Sequence, residues 1–536
     1  MLVTASLCIG TLIIIRITHW VYRWRNPRCN GKLPPGSMGF PLIGETHQFF
    51  SPTASSDLPP FMKDRMESHF KYPAIHLPAI SILHSLDIIC IVLILLNAML
   101  LFGCGPVFKT TLVMQSFIVS TDPEVNHMIL SQKEGQSFEV WYPDTFKKIL
   151  GQESLVTLQG SIHKYMRNMV LSFVGPESLK QKLLPHVVHG VQRNLSLWAN
   201  QDTVDLIESV KEMIFELTAK KLISYEYNPK KPSENLRGCF SAFTEGLISF
   251  PLDIPGTAYH KCLQGRKQTM EILKDMLQER RKKPKSCQED FFDYVLDELK
   301  TEGTVLTEAI GLDLIFLLLF ASFETTSLST TFAIKLLTEN PAVLEELTAE
   351  HEALIRSRKN EDAQLTWKEY KSMKFTTQVI DEAVSWQLIS AICLIIKILT
   401  WFEWLSTGYT ILAGWAVMLC IPSAHLNPST YQDPLEFNPH RWDVSRYMDS
   451  EFTLRISACQ CVCGVELNGA TKDFMAFGAG QRFCFGTDFA KLQMAVFLHY
   501  LVTNYRWKTI KGGDIARVPG VTFPNGFHVK ISEMNT

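Results

Sequence analysis

Cys484 sits between two phenylalanines in the run Phe477-Gly478-Ala479-Gly480-Gln481-Arg482-Phe483-Cys484-Phe485-Gly486, and a largely apolar stretch from Phe489 to Tyr500 follows. Glycines at this density mark a loop and the apolar stretch a helix, which places the thiol just ahead of a helix N-terminus. There the helix dipole, free backbone N–H groups and the charge of Arg482 favour the thiolate, a nucleophile or metal ligand. A buried structural cysteine in a turn is the other reading. A second group with chemical potential is Ala321-Ser322-Phe323-Glu324-Thr325-Thr326, in the middle of Gly311 to Leu337, which has no internal Gly or Pro. That span predicts a helix of about 40 Å at 1.5 Å per residue, too apolar for a surface helix. Ala321, Glu324 and Thr325 share one face of it, and an acid and an alcohol in an apolar rod are costly unless they have a task or a partner. The alternative is a threonine bonded back to its own helix and a glutamate salt-bridged elsewhere. His163 and Arg167, four residues apart, share a helix face and on that spacing alone describe a solvent-facing basic pair.

The cysteine loop fits the pattern F-x-x-G-x-R-x-C-x-G residue for residue, and so resembles the haem loop of the cytochrome P450 family. The resemblance implies a mainly α fold with a small β region around one b-type haem. It makes Cys484 the axial thiolate ligand of the iron, Arg482 a propionate partner and Phe477 a cover over the sulfur, with Gly478 and Gly486 letting the backbone pass close to the macrocycle. Ala321–Thr326 is similar to the central helix of that family, with Ser322 where glycine is usual. Thr325 would hold dioxygen and a water, and Glu324 would relay protons. Arg167 fits the arginine of W-x-x-x-R, which contacts the propionates, and His163 stands where the aromatic would. Glu382 fits the acid of E-x-x-R, but Ser385 replaces the arginine. Phe437-Asn438-Pro439-His440-Arg441-Trp442 matches F-x-P-x-R-W, leaving Glu382 and Arg441 as a pair, short of one member of a buried network and expected to weaken haem retention. A thiolate pushes electron density onto iron and favours O–O cleavage, so the implied chemistry is oxygen activation. The hinge and the text around Arg441 resemble plant members that oxidise steroids and triterpenoids. This implies hydroxylation of an apolar polycyclic substrate with electrons from NADPH–cytochrome P450 reductase.

The elements that must position these residues are mostly helical from Pro123 to Lys300, with Gly/Pro punctuation, and β-hairpin text runs from Gly512 to Val529. Residues 1–25 read as a membrane anchor: Leu2–Tyr22 is apolar but for Arg16, and Arg23, Arg25, Arg28 and Lys32 follow, which orients the C-terminal side to the cytosol. Such an anchor implies the endoplasmic reticulum membrane, with the catalytic body cytosolic. Residues 26–50 contain a stiff Pro/Gly hinge, and 51–536 form one body. Three blocks interrupt the family pattern. Residues 67–104 include the apolar Ile88–Phe102, shorter than the ~20 residues a spanning helix needs. Residues 384–406 read as a replacement lacking the turn chemistry of a strand pair. Residues 445–465 carry alternating Cys459, Cys461 and Cys463, a spacing unlike C-x-x-C zinc sites. A formal net charge of −2 gives no reason to expect nucleic acid as a partner, and 13 scattered cysteines beside a working thiolate fit a reducing compartment. Two other readings stand beside this one: a multi-span membrane protein, and a catalytically impaired or mis-spliced relative of such an enzyme.

Overall fold

The computed structural model describes Arg16 and residues 19–24, 26–40, 43–53, 58–67, 105–131, 138–227, 235–240, 243–247, 249, 251–282, 290–360, 363–388, 394–399, 402–404, 408–443, 474–518 and 520–534. Of the expected anchor, residues 19–24 lie in a helix and most of the rest falls outside the described residues, as do 68–104 and 445–465.

The helices that build the body are α1 (Gly160–Val174), α2 (Leu184–Ala199), α3 (Leu206–Ile223), α4 (Ala258–Lys282), α5 (Glu308–Glu339), α6 (Pro341–Arg356), α7 (Lys374–Leu388) and α8 (Thr487–Asn504). Helix α5 starts where the Thr307 hydroxyl accepts the Ile310 N–H, an N-cap, and stops at Asn340, ahead of Pro341. Every residue from Ile310 to Leu319 is buried. The helix is long and apolar enough to cross a membrane, yet it forms the core of the body, with α3 packed along it. Phe323 meets Phe215 at 5.2 Å between ring centroids, and Phe316 meets Phe240 at 5.4 Å. Its polar second half is buried without penalty because Thr330 and Thr331 donate to the carbonyls of Thr326 and Ser327 at 2.8 and 2.9 Å. Helix α8 is buried from Leu492 to Val502 and packs on α2, α5 and α7.

The β region is small. Its strands are β1 (Val107–Leu112), β2 (Gln115–Ser120), β3 (Phe138–Val140), β4 (Val204–Asp205), β5 (Leu394–Ile398) and β6 (Phe402–Trp404). They continue with β7 (Tyr409–Ile411), β8 (Ala416–Leu419), β9 (Tyr505–Gly512), β10 (Ala516–Val518), β11 (Gly520–Thr522) and β12 (Phe527–Glu533). One sheet runs β1-β2-β8-β5-β3, with β2 and β8 parallel and its other neighbours antiparallel. The smaller sheets are β4-β12-β9, β10-β11 and β6-β7.

Strand β5 corrects one expectation. Residues 384–406 were expected to lack strands, but Leu394–Ile398 takes an interior place in the largest sheet, between β3 and β8, and Phe402–Trp404 pairs with Tyr409–Ile411. The physical reason is the period-two burial of Ile396 and Ile398, which face the core while Ile395 and Lys397 are half-buried. The alternation is carried by one lysine in a run of isoleucines, too faint to separate from a continuous apolar stretch.

Candidate active site

The cysteine loop is folded back on itself by its own backbone: Cys484 N–H donates to the Phe477 carbonyl at 2.8 Å and Gly478 N–H to the Met475 carbonyl at 2.9 Å. Two of its glycines are required by conformation, Gly478 at φ +76° and Gly480 at φ +59°. At Gly480 a Cβ would stand 1.9 Å from the Leu130 carbonyl oxygen, so glycine is what lets the loop lie against the helix Pro123–Ser131. Three residues after the cysteine, Thr487 opens α8 and donates its hydroxyl to the Cys484 carbonyl at 2.8 Å.

The Cys484 side chain presents exposed area although protein surrounds it, the combination found in a side chain that lines an internal surface. Burial pushes its thiol pKa up. The Gly486 N–H, the Thr487 hydroxyl, the Arg167 charge and the Thr487 N–H all act in the opposite direction, toward thiolate. A Cβ on Gly486 would lie 3.8 Å from the sulfur. Phe477 contributes its carbonyl to the loop closure, and its ring is met by Lys491, 5.5 Å from the centroid, which also pairs with Asp381 at 2.6 Å.

Arg167 reaches the loop from α1 and donates to the Phe483 carbonyl at 2.5 Å. Burial lowers its pKa, the Cys484 charge raises it and Arg482 lowers it, so the two guanidiniums and the sulfur share one electrostatic neighbourhood. Arg482 is held by the carbonyls of Leu155 at 3.3 Å and Leu158 at 2.8 Å. His163, one turn before Arg167, is buried, which removes the solvent-facing reading of that pair. A soft sulfur donor with N–H groups aimed at it and two cations alongside is the donor set that an iron porphyrin with two carboxylate arms needs. The residues present fit a haem.

On α5, Thr325 is the one exposed residue between Ile310 and Thr338. Its hydroxyl donates back to the Ala321 carbonyl at 2.8 Å. Glu324 pairs with Lys211 of α3 at 3.1 Å, and Ser322 donates to the Leu319 carbonyl at 3.2 Å. The structure therefore shows the bonds of the structural alternative for both Glu324 and Thr325, while leaving Thr325 on an accessible surface.

Glu382, wholly buried on α7, is better satisfied than the sequence suggested. Arg441 reaches it through Nε at 3.2 Å, Asn438 N–H at 3.0 Å, and the indole N–H groups of Trp386 and Trp442 at 3.1 and 2.6 Å. The expectation of an acid and an arginine left short of partners is corrected: hydrogen-bond donors from two tryptophans and a backbone amide supply what Ser385 does not. Arg441 in turn donates to the carbonyls of Asn438, Pro434 and Glu436. Sequence reading missed Trp386, although its i+4 spacing from Glu382 was a usable signal. It also missed the Arg266–Asp313 pair at 2.5 Å, which ties α4 to α5, and the buried His351–His499 contact at 3.0 Å.

A scan against protein-family models matches residues 98–528 to "Cytochrome P450". This chain belongs to the cytochrome P450 family. It is 46% identical over 533 residues to cytochrome P450 87A3 of Oryza sativa subsp. japonica, covering 99% of this chain and 92% of that one. It is 35% identical to beta-amyrin 16-alpha-hydroxylase CYP87D16 of Maesa lanceolata, covering 98% of both chains, and 35% identical to cucurbitadienol 11-hydroxylase of Siraitia grosvenorii, covering 99% of both. The fold matches that of the retinoic acid-bound cyanobacterial CYP120A1 with a TM-score of 0.73 at 23% identity, over 94% of this chain and 100% of that one. As a P450 the chain is a haem-thiolate monooxygenase, with haem held by a cysteine thiolate, and it works with a redox partner on an apolar substrate.

Proposed function

We propose that this P450 hydroxylates a rigid, apolar polycyclic alcohol of the sterol or triterpenoid class, with electrons from NADPH–cytochrome P450 reductase. Cys484 is the proposed iron ligand, Arg167 and Arg482 the proposed propionate partners with His163 beside them, and Glu324 and Thr325 the proposed distal pair. The observation that carries the assignment is the accessible Cys484 thiol at the head of α8, where burial raises its pKa and N–H donors and Arg167 oppose that rise. The haem, when bound, supplies oxygen activation by thiolate-ligated iron. The chain's part is to hold and orient. Thr325 offers a hydroxyl on a mostly buried helix, and Glu324, half-buried beside Lys211, offers a carboxylate. The rings of Phe240, Phe243, Phe316, Phe320 and Phe323 form an apolar mass against α5, suited to excluding water.

The substrate class is supported by relatives named as hydroxylases of beta-amyrin, cucurbitadienol and cholesterol. The test is incubation of the chain in microsomes with reductase, NADPH and a panel of sterols, triterpenoids and linear fatty acids. Gain of one oxygen by a polycyclic substrate is expected; turnover of fatty acids alone would overturn the substrate class. Residues 1–25 are proposed to anchor the chain in the endoplasmic reticulum membrane through a hinge at 26–50, ahead of a catalytic body over 51–536. Removing 1–25 should shift the chain from the membrane pellet toward the supernatant after carbonate washing.

A further inference from the structure

Glu382 holds together the segment that supports the cysteine loop. Its Oε1 receives the Trp386 indole N–H and the Asn438 backbone N–H, and its Oε2 receives the Trp442 indole N–H, with Arg441 Nε at 3.2 Å. From there the contacts run to the site. The Trp442 ring packs on Phe474 at 4.7 Å and His425 at 6.0 Å. His425 Nε2 accepts the Met475 N–H at 3.1 Å, and the Met475 carbonyl accepts Gly478 N–H at the start of the cysteine loop. Where the family pattern places an arginine, Ser385 is buried and spends its hydroxyl on the Glu382 main-chain carbonyl at 2.8 Å, giving nothing to the carboxylate.

We propose that Trp386 takes over the place of the missing arginine: its indole N–H holds the Glu382 carboxylate and thereby positions Asn438–Trp442 beneath the cysteine loop. It is a positioning residue, and its meaning for catalysis rests on the haem-thiolate reading. Two features of Trp386 suit the task. The i, i+4 spacing on α7 brings the ring over the carboxylate, and packing against Phe332 at 6.4 Å fixes it. The substitution trades a full charge for an N–H dipole. An ionised carboxylate is then less well compensated, in keeping with burial having pushed Glu382 up to about 7 against the opposing pull of Arg441 and the three N–H groups. Other titratable groups around the network are Asp381, paired with Lys491 of α8, His425, which burial lowers to about 4 and so keeps neutral, and His440, paired with Glu346.

The test is the urea midpoint of the full chain at pH 5.5 and pH 8 for the wild type, Trp386→Phe, and both again in a Glu382→Gln background. A bond to an ionised acceptor is about twice as strong as one to a neutral acceptor. The gap between wild type and W386F should therefore be at least twofold larger at pH 8, and the pH dependence of the gap should vanish with Glu382→Gln. A gap of equal size at both pH values, or one that keeps its pH dependence without the carboxylate, would show that only ring volume matters and would overturn the proposal. If W386F does not accumulate folded, Trp386→His, which keeps a ring N–H, should accumulate where it does not; equal failure of both also overturns it. The thiolate band of the wild-type ferrous–carbonyl complex is read on the same preparation. Its absence beside a pH-dependent gap would sink the haem reading and leave the role of Trp386 standing.

Discussion

The Thr325 hydroxyl donates to the Ala321 carbonyl, yet it is the side chain that α5 leaves accessible in its buried length. A rotation about χ1 frees it at a cost on the order of one hydrogen bond, ~1 kcal/mol, which substrate or water contacts can offset. Thr325→Ala should therefore leave folding and haem content unchanged while diverting NADPH equivalents to hydrogen peroxide. Full coupling of NADPH to product in that variant would mark Thr325 as purely structural. Glu382 gives the pH prediction at this scale. Burial disfavours its carboxylate, so the folded chain keeps the proton up to about 7, while an unfolded glutamate releases it near its ordinary value of 4.5. The folded state binds more protons between those values, so stability from this group is complete below the lower one and falls as pH rises through the upper. Glu382→Gln should flatten the urea midpoint across that window; an unchanged slope would assign it to another group.

Helix α5 and the loop before α8 were both legible as elements, because a long apolar span bounded by Asn340-Pro341 and a glycine-dense run each carry strong local signals. What each side chain does within them was less so. The return bond of Thr325 and the reach of Glu324 to Lys211 depend on rotamers and on α3, neither of which the α5 sequence encodes. The loop offers a sharper test of element geometry. Gly480→Ala puts a methyl group 1.9 Å from the Leu130 carbonyl at φ +59°, so the loop must move off the helix Pro123–Ser131. A loss of roughly 1–3 kcal/mol in unfolding free energy is expected, together with weaker haem retention. A variant as stable as the wild type would mean that the loop does not rest on that helix.

Across the whole molecule, the fold class could be read from motifs, and the proposed cysteine ligand and its two arginines were picked out the same way, because those motifs are local. The support network could not. Trp386, Asn438 and Trp442 converge on Glu382 from positions up to 60 residues away, and His351 meets His499 over a separation of 148. Nor could β5 be recognised before its neighbours in the sheet were known, since burial on one face is what defines its alternation. The domain reading leaves residues 67–104 and 445–465 as proposed insertions. A chain with both excised should bind at least as much haem per protein as the full chain; a clear loss would make them part of the working body. The central claim is that Cys484 ligates the iron of a haem, and the ferrous–carbonyl absorption spectrum of the purified chain tests it most directly. The wild type should show the strongly red-shifted Soret band of thiolate ligation and Cys484→Ser should lack it, whereas the same band in both proteins would contradict the assignment.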